Sequence, residues 1–160
     1  LLDILDGHPE RERLVEDAFA TFYAARNEVD LYDDAVHCLV RAGRRFRLAS
    51  LSNGNADLER IGLAHHFEHR ISARDVGVMK PDAAIFAHLC ASLDLAPAQI
   101  AHVGDDPEMD VLGARQAGLF AVWLNREGRP WPHAEPPDLE VSALHQLCAW
   151  LDAHPTASTE

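Results

Sequence analysis

Three short polar clusters in this 160-residue sequence have residue types suited to chemistry. Ser52-Asn53-Gly54 closes the stretch Phe46-Arg47-Leu48-Ala49-Ser50-Leu51, Lys80-Pro81 stands alone further on, and Gly104-Asp105-Asp106, followed by Asp110, closes the run Ile100-Ala101-His102-Val103. A hydroxyl with neighbouring backbone N–H groups at a strand end can hold phosphate oxygens. An ammonium group neutralises charge on a transferring phosphoryl group. Two adjacent carboxylates repel unless a cation is near, and hard carboxylate oxygens suit Mg²⁺. Each cluster also has a plain structural reading. Ser-Asn-Gly is common turn punctuation, a lysine before proline can be a surface lysine, and acidic residues suit the start of a helix.

The elements that must carry these clusters follow from periodicity. Leu14, Ala18, Phe22 and Ala25 recur at helical spacing between about Glu10 and Asn27. Asp33 can cap a helix to about Ala42, and Phe46 to Leu51 reads as a strand. Asp57 to His66 reads as a helix, His69 to Ala73 as a strand, and Pro81 suits the first position of a helix to about Leu93. A strand Ile100 to Val103, a helix Met109 to Ala117 stopped by Gly118, and a strand Phe120 to Leu124 come next. A proline-rich loop (Pro130, Pro132, Pro136, Pro137) precedes an amphipathic helix from about Ser142 to Ala153. Strands separated by helices of this length pair in parallel through crossovers. The expected fold class is therefore α/β, a Rossmann-like parallel sheet with helices on both faces. In such sheets a site forms at the carboxyl ends of the strands, where all three polar clusters fall.

Composition bounds the rest. The net charge is -12, from 14 Lys+Arg against 26 Asp+Glu, so no basic face is available for nucleic acid. No apolar run approaches a membrane span. The cysteines Cys38, Cys90 and Cys148 are far apart and form no C-x-x-C pair, which fits small buried apolar residues in a reducing cytoplasm. His65, His66 and His69 have no H-E-x-x-H spacing.

Taken in order, strand–Ser52–Asn53, Lys80–Pro81 and strand–Gly104–Asp105–Asp106–x–x–x–Asp110 resemble the second, third and fourth motifs of the haloacid dehalogenase-like hydrolase superfamily, and Val111 to Gly118 looks like that family's helix after its acidic motif. The resemblance covers about Leu31 to Asn125. It implies a phosphatase in which an aspartate attacks phosphorus to give an aspartyl-phosphate that water hydrolyses, a second aspartate two residues on serves as acid and base, and Mg²⁺ bridges nucleophile and phosphate. Ser52 would then hydrogen-bond a phosphoryl oxygen, assisted by the Asn53 backbone. Lys80 would stabilise the nucleophile and the phosphoryl charge, and Asp105 would bind Mg²⁺. Asp106 and Asp110 would support the metal's waters and orient Lys80.

The N-terminus, LLDILDGHPE, departs from the family's first motif, a buried strand ending Asp-x-Asp-x-Thr. Asp3 and Asp6 are three apart rather than two and would not share a strand face, and His8-Pro9 stands where the threonine belongs. The helix carrying Leu14 to Tyr23 resembles the last part of the helical cap inserted between motifs one and two in the family's first subclass. Residues 1–32 are thus expected to be a cap remnant, with Asp6-Gly7 a turn, and 33–160 the core with motifs two to four. The nucleophile strand is expected upstream, and the chain alone is expected to be inactive. A second copy could fill the gap left in the sheet, so a homodimer is one expectation.

The substrate implied is a small phosphorylated metabolite. Leu51-Ser-Asn-Gly-Asn-Ala-Asp, Ile61-Gly-Leu-Ala-His-His-Phe-Glu and His102-Val-Gly-Asp-Asp look most similar to members acting on flavin mononucleotide or its ribitylamino-pyrimidine phosphate precursor, with phosphoglycolate, sugar phosphates and nucleotides still open. A 2-haloacid dehalogenase shares the Ser-Asn and Lys elements but not the paired acids after glycine. A signalling receiver domain uses the same residue types in another order. A non-catalytic relic or binding module on this fold is the third alternative.

Overall fold

The computed structural model describes residues 9–154; the Asp3, Asp6 and Gly7 readings lie outside that range. Helix α1 (Arg11–Arg26) matches the helical spacing of Leu14 to Ala25, yet it buries none of its residues, and Phe19 and Phe22 stand exposed on it. It is held at its C-terminal end by buried Asn27. The Asn27 amide donates to the Tyr23 carbonyl at 2.7 Å, and its Oδ1 accepts the Asp57 N–H at 2.7 Å. The Tyr23 hydroxyl adds a bond to the Asp57 carboxylate at 3.3 Å.

Helix α2 (Ala35–Gly43) leads to strand β1 (Ala49–Ser52), then the one-turn helix α3 (Leu58–Ile61) and strand β2 (His69–Ser72). Strand β1 starts later than the apolar run suggested. The helix foreseen from Asp57 to His66 is broken because Gly62 turns left-handed at φ 83°, after which Ala64–His66 forms a separate 3₁₀ turn. Nor does Asp33 cap α2. Asp34 occupies that position without a capping bond, because its carboxylate accepts the Arg126 guanidinium at 2.8 Å and the Leu144 N–H at 2.7 Å. That arginine holds the Asp34 carboxyl below the ordinary aspartate range.

A short helix α4 (Ala73–Val76), unforeseen from sequence, leads to α5 (Ala83–Leu93). Pro81 is not its first residue. The Lys80-Pro81 peptide is cis, and Asp82 caps the helix by accepting the Ala84 N–H. Strand β3 (Ala101–Gly104) is followed by a π-helical stretch, Pro107–Leu112, that passes into α6 (Gly113–Gln116), where one regular helix was expected. Strand β4 (Phe120–Leu124) falls where the apolar run places it. Strand β5 (Leu139–Val141) follows the proline-rich loop and was hidden by having only 3 residues. Helix α7 (Leu144–Ala153) ends the described chain.

All pairing is parallel. β1 pairs with β2, with Ser52 opposite Ser72, and β3, β4 and β5 form a second sheet in that order. Among the described residues no strand covers the second edge of β1 or of β3. Strand β4 shows why helices lie on both faces. Ala121 and Trp123 pack into the core beneath α5, with Ile85, Phe86 and Leu89, while Val122 faces the opposite way into a cluster with Val141 and Leu147 of α7. Ala49 and Leu51 of β1 pack against the first of these cores, so the two sheets share it. Among the described residues no helix is long and apolar enough to cross a membrane.

Candidate functional site

The loops after β1 and β3 converge on one lysine. Lys80 Nζ donates to the Leu51 carbonyl of β1 at 2.9 Å and to Asp110 Oδ1 at 2.6 Å, with only 11% of its side chain exposed. An ammonium carries three donors, so one N–H is left for a ligand. Its main chain is fixed by Asn53. The Asn53 amide donates to the Lys80 carbonyl at 2.9 Å and its Oδ1 accepts the Lys80 N–H at 2.8 Å. Asn53 thus contributes its side chain to the site's framework, beyond the backbone role read from the motif. Ser52 is exposed, and its Oγ accepts the Gly54 N–H at 3.0 Å. Its own hydroxyl proton is free to be donated.

Asp110 is buried at the centre of this arrangement. Besides Lys80, its Oδ1 meets His102 Nε2 at 3.1 Å, and its Oδ2 accepts the Asp106 N–H at 3.1 Å. Burial by itself would raise its pKa, but the His102 and Lys80 bonds outweigh that and hold the carboxyl well below the ordinary aspartate range. His102, whose ring also meets the edge of Phe86, is a partner of Asp110 that motif reading passed over. The signal was present in an inward-facing histidine two residues before Gly104 on a strand, where any buried polar side chain needs a partner.

The three aspartates do different things. The Asp106 carboxylate caps the π-helical stretch, with Oδ1 accepting the Glu108 and Met109 N–H groups at 2.9 and 2.8 Å, which leaves Oδ2 available. Asp105 is exposed, and its carbonyl is anchored by Trp123 Nε1 at 3.0 Å and by Arg129 at 3.2 Å, so the carboxylate projects from a fixed backbone. Asp110 is committed to Lys80 and His102. No group of three His, Cys, Asp or Glu side chains able to hold a metal occurs among the described residues. The donor set that is available, Asp105 and the second oxygen of Asp106, fits the way Mg²⁺ is usually held, by one or two carboxylates with waters and substrate phosphate completing the shell.

Gly104 is required by close approach. A Cβ there would lie 2.2 Å from Asp110 Cγ and 2.3 Å from its Oδ2. Replacing Gly104 with alanine therefore forces Asp110, and Lys80 with it, out of place. The expected result is a loss of about 2–4 kcal/mol in unfolding free energy, measured by urea denaturation. One more cation reaches the site: the Arg26 guanidinium of α1 comes within 3.2 Å of the point where a Gly54 Cβ would sit, with Ser52 Oγ 3.4 Å from that same point.

A parallel α/β domain with serine after β1, lysine before α5 and aspartates after β3, in that chain order, has the arrangement of a Rossmann-like hydrolase. The chain belongs to the haloacid dehalogenase-like hydrolase family, whose sequence model matches residues 3–118. It is 40% identical over 152 residues to a phosphoserine phosphatase of Thermus thermophilus, covering 91% of this chain and 60% of that protein. It is 31% identical over 138 residues to the Escherichia coli 5-amino-6-(5-phospho-D-ribitylamino)uracil phosphatase YigB, covering 84% of this chain and 58% of that protein. The chain thus spans about three fifths of the length of these relatives. Among solved structures, a 2-haloacid dehalogenase from Pseudomonas syringae pv. Tomato superposes with a TM-score of 0.91 at 34% identity, covering 96% of this chain and 68% of that one.

Proposed function

We propose that this chain supplies the phosphate-binding and charge-stabilising half of a phosphatase acting on a small phosphomonoester through an aspartyl-phosphate. The observation that carries the reading is Lys80, locked between Asp110 and the carbonyl of Leu51, the residue before Ser52, with one donor free. Ser52 and the N–H groups after β1 would take phosphoryl oxygens, and Lys80 would hold the developing negative charge. His102 and Asp106 would keep Asp110 ionised and aimed at Lys80. Asp105, with the free oxygen of Asp106, would hold Mg²⁺, which when bound supplies positive charge to the phosphate. Arg26 adds positive potential at the mouth of the same loop. The phosphatase names of two relatives support the substrate class.

The aspartate nucleophile and its acid–base partner are assigned to a parallel strand seated between β1 and β3, supplied from outside the described residues. Each of those strands has one uncovered edge among the described residues, and a buried uncovered edge leaves backbone groups unpaired. Residues 1–32 are read as part of a cap, in keeping with the exposed Phe19 and Phe22 on α1.

A second reading, a 2-haloacid dehalogenase, is favoured by the Pseudomonas syringae structure. The free carboxylate of Asp105 beside Asp106 favours the phosphatase, since dehalogenation uses no metal. The test is an assay of the chain extended upstream through an Asp-x-Asp strand, with an aryl phosphate and with a 2-chloro acid, each with and without Mg²⁺. Phosphate release that requires Mg²⁺, without halide release, is expected. Halide release independent of Mg²⁺ would establish the second reading, and neither activity would point to a non-catalytic module.

A further inference from the structure

The cysteines that are far apart in sequence are not all apart in the fold. Cys38 of α2 and Cys148 of α7 are both buried free thiols, with their sulfurs 2.8 Å from each other. The approach is set by the backbones of two helices lying side by side in register. Asp34 at the start of α2 accepts the N–H of Leu144 at the start of α7. Cys38 meets Cys148 in the middle, and Arg41 pairs with Asp152 toward the other end. There Arg45 also donates to the Leu151 carbonyl at 2.9 Å. Every one of these contacts spans nearly the same sequence separation, so the thiol pair sits at a fixed station along a docked helix pair. Cys148 lies beneath a shallow crevice between Arg41, Arg45 and Leu151 with only 1% of its surface exposed, so a reagent reaches its sulfur through local opening of the helix pair. The remaining cysteine, Cys90, lies on α5 in the core that holds Ile85, Phe86 and Trp123.

We propose that Cys38 and Cys148 form a reversible disulfide that staples α2 to α7, with a peroxide as the oxidant. The Cys148 sulfur attacks one peroxide oxygen, the O–O bond breaks, and water leaves, giving a sulfenic acid. The Cys38 sulfur then attacks the Cys148 sulfur. The S–S bond forms, the S–O bond breaks, and a second water carries away the Cys38 proton. Two thiols are oxidised and one peroxide is reduced to two waters. Burial and the neighbouring thiol push Cys38 up to about 12, which keeps it a thiol in the reduced pair, and the first attack falls to Cys148, the sulfur that lines the crevice. The loop closed by the bond contains Ser52, Lys80 and Asp110. It ties the helix that feeds β1 to the helix that covers β4, across the boundary between the two sheets.

The test treats the purified protein with hydrogen peroxide, unfolds it, alkylates remaining thiols with N-ethylmaleimide and maps the peptides by mass spectrometry. A linked Cys38–Cys148 peptide, a chain lighter by two hydrogens and a singly alkylated Cys90 are expected, with reversal by dithiothreitol. Alkylation of both Cys38 and Cys148, or linkage through Cys90 or between chains, would overturn the proposal. Thermal melting provides the second measurement. The oxidised protein should melt higher than the reduced one, and the Cys148→Ala protein should show no such difference. A dithiothreitol-sensitive rise that persists in Cys148→Ala would also overturn it.

Discussion

Replacing Asp110 with asparagine is expected to destabilise the protein by about 3–5 kcal/mol, the cost of removing one partner from a buried ion pair. The shape of the side chain is nearly kept, so the effect isolates its charge. Lys80 would retain the Leu51 carbonyl but lose the anion at 2.6 Å that balances it, with only 11% of its side chain open to solvent. His102 Nε2 and the Asp106 N–H would lose a charged acceptor as well. Urea denaturation followed by circular dichroism measures the loss. The same variant tests the pH dependence. The folded protein holds the Asp110 carboxyl well below the ordinary range, so the unfolded chain takes up this proton first as pH falls. Its stabilisation is present in full above the unfolded value, near 3.9, and drains away as pH falls below that value toward the folded one. Asparagine does not titrate, so the variant's stability should change less steeply over that acidic window. A slope equal to that of the parent would show that Asp110 is not the group responsible.

Replacing Lys80 with methionine is expected to lower kcat by about 10²–10³ in the extended protein, the range found when one preorganised donor to a transition-state anion is removed. Methionine keeps most of the length and apolar bulk of the side chain. The N–H proposed to hold a phosphoryl oxygen disappears, and Asp110 becomes a buried carboxylate with His102 and one backbone N–H as its remaining partners. Because the interaction strengthens as charge develops, KM should move much less than kcat. Lys80→Arg should not restore the rate. The planar guanidinium is a wide fork, whereas the site places a carbonyl and a carboxylate at 2.9 and 2.6 Å around one nitrogen. Initial rates with an aryl phosphate over a range of concentrations, alongside melting curves for each variant, separate a catalytic loss from a folding one. Arginine activity close to that of lysine would mean the site requires only positive charge there.

Much of this was legible from residues in order. Strand β4 could be read almost to the residue because Phe120-Ala-Val-Trp-Leu is an apolar run between a glycine and a polar turn, buried on both faces. The order of Ser52, Lys80, Gly104-Asp105-Asp106 and Asp110 placed the site on one rim, since parallel strands put all their carboxyl ends on the same side. Local sequence has little to say where a residue's role depends on a partner distant in the chain. Asp33 reads as the cap of α2, whereas Asp34 takes that position and is consumed by Arg126 and Leu144. Asp106 and Asp110 look equivalent to Asp105 as carboxylates, yet one caps a helix and the other balances a lysine, because the π-helical turn carries Asp110 back beneath Gly104.

What the sequence determined by itself was therefore the longer elements, though not the short α4 and β5, together with the rim and the chemical types gathered there, because these follow from periodicity and from which residues close each strand. The tertiary structure decided how those groups share their hydrogen bonds: Asn53 gripping the Lys80 backbone, His102 and Lys80 on one oxygen of Asp110, and Cys38 set against Cys148 by two helices docked in register. Hydrogen bonds and thiol contacts act over a few ångströms, and only the packing of helices and strands remote in sequence brings such partners within that reach.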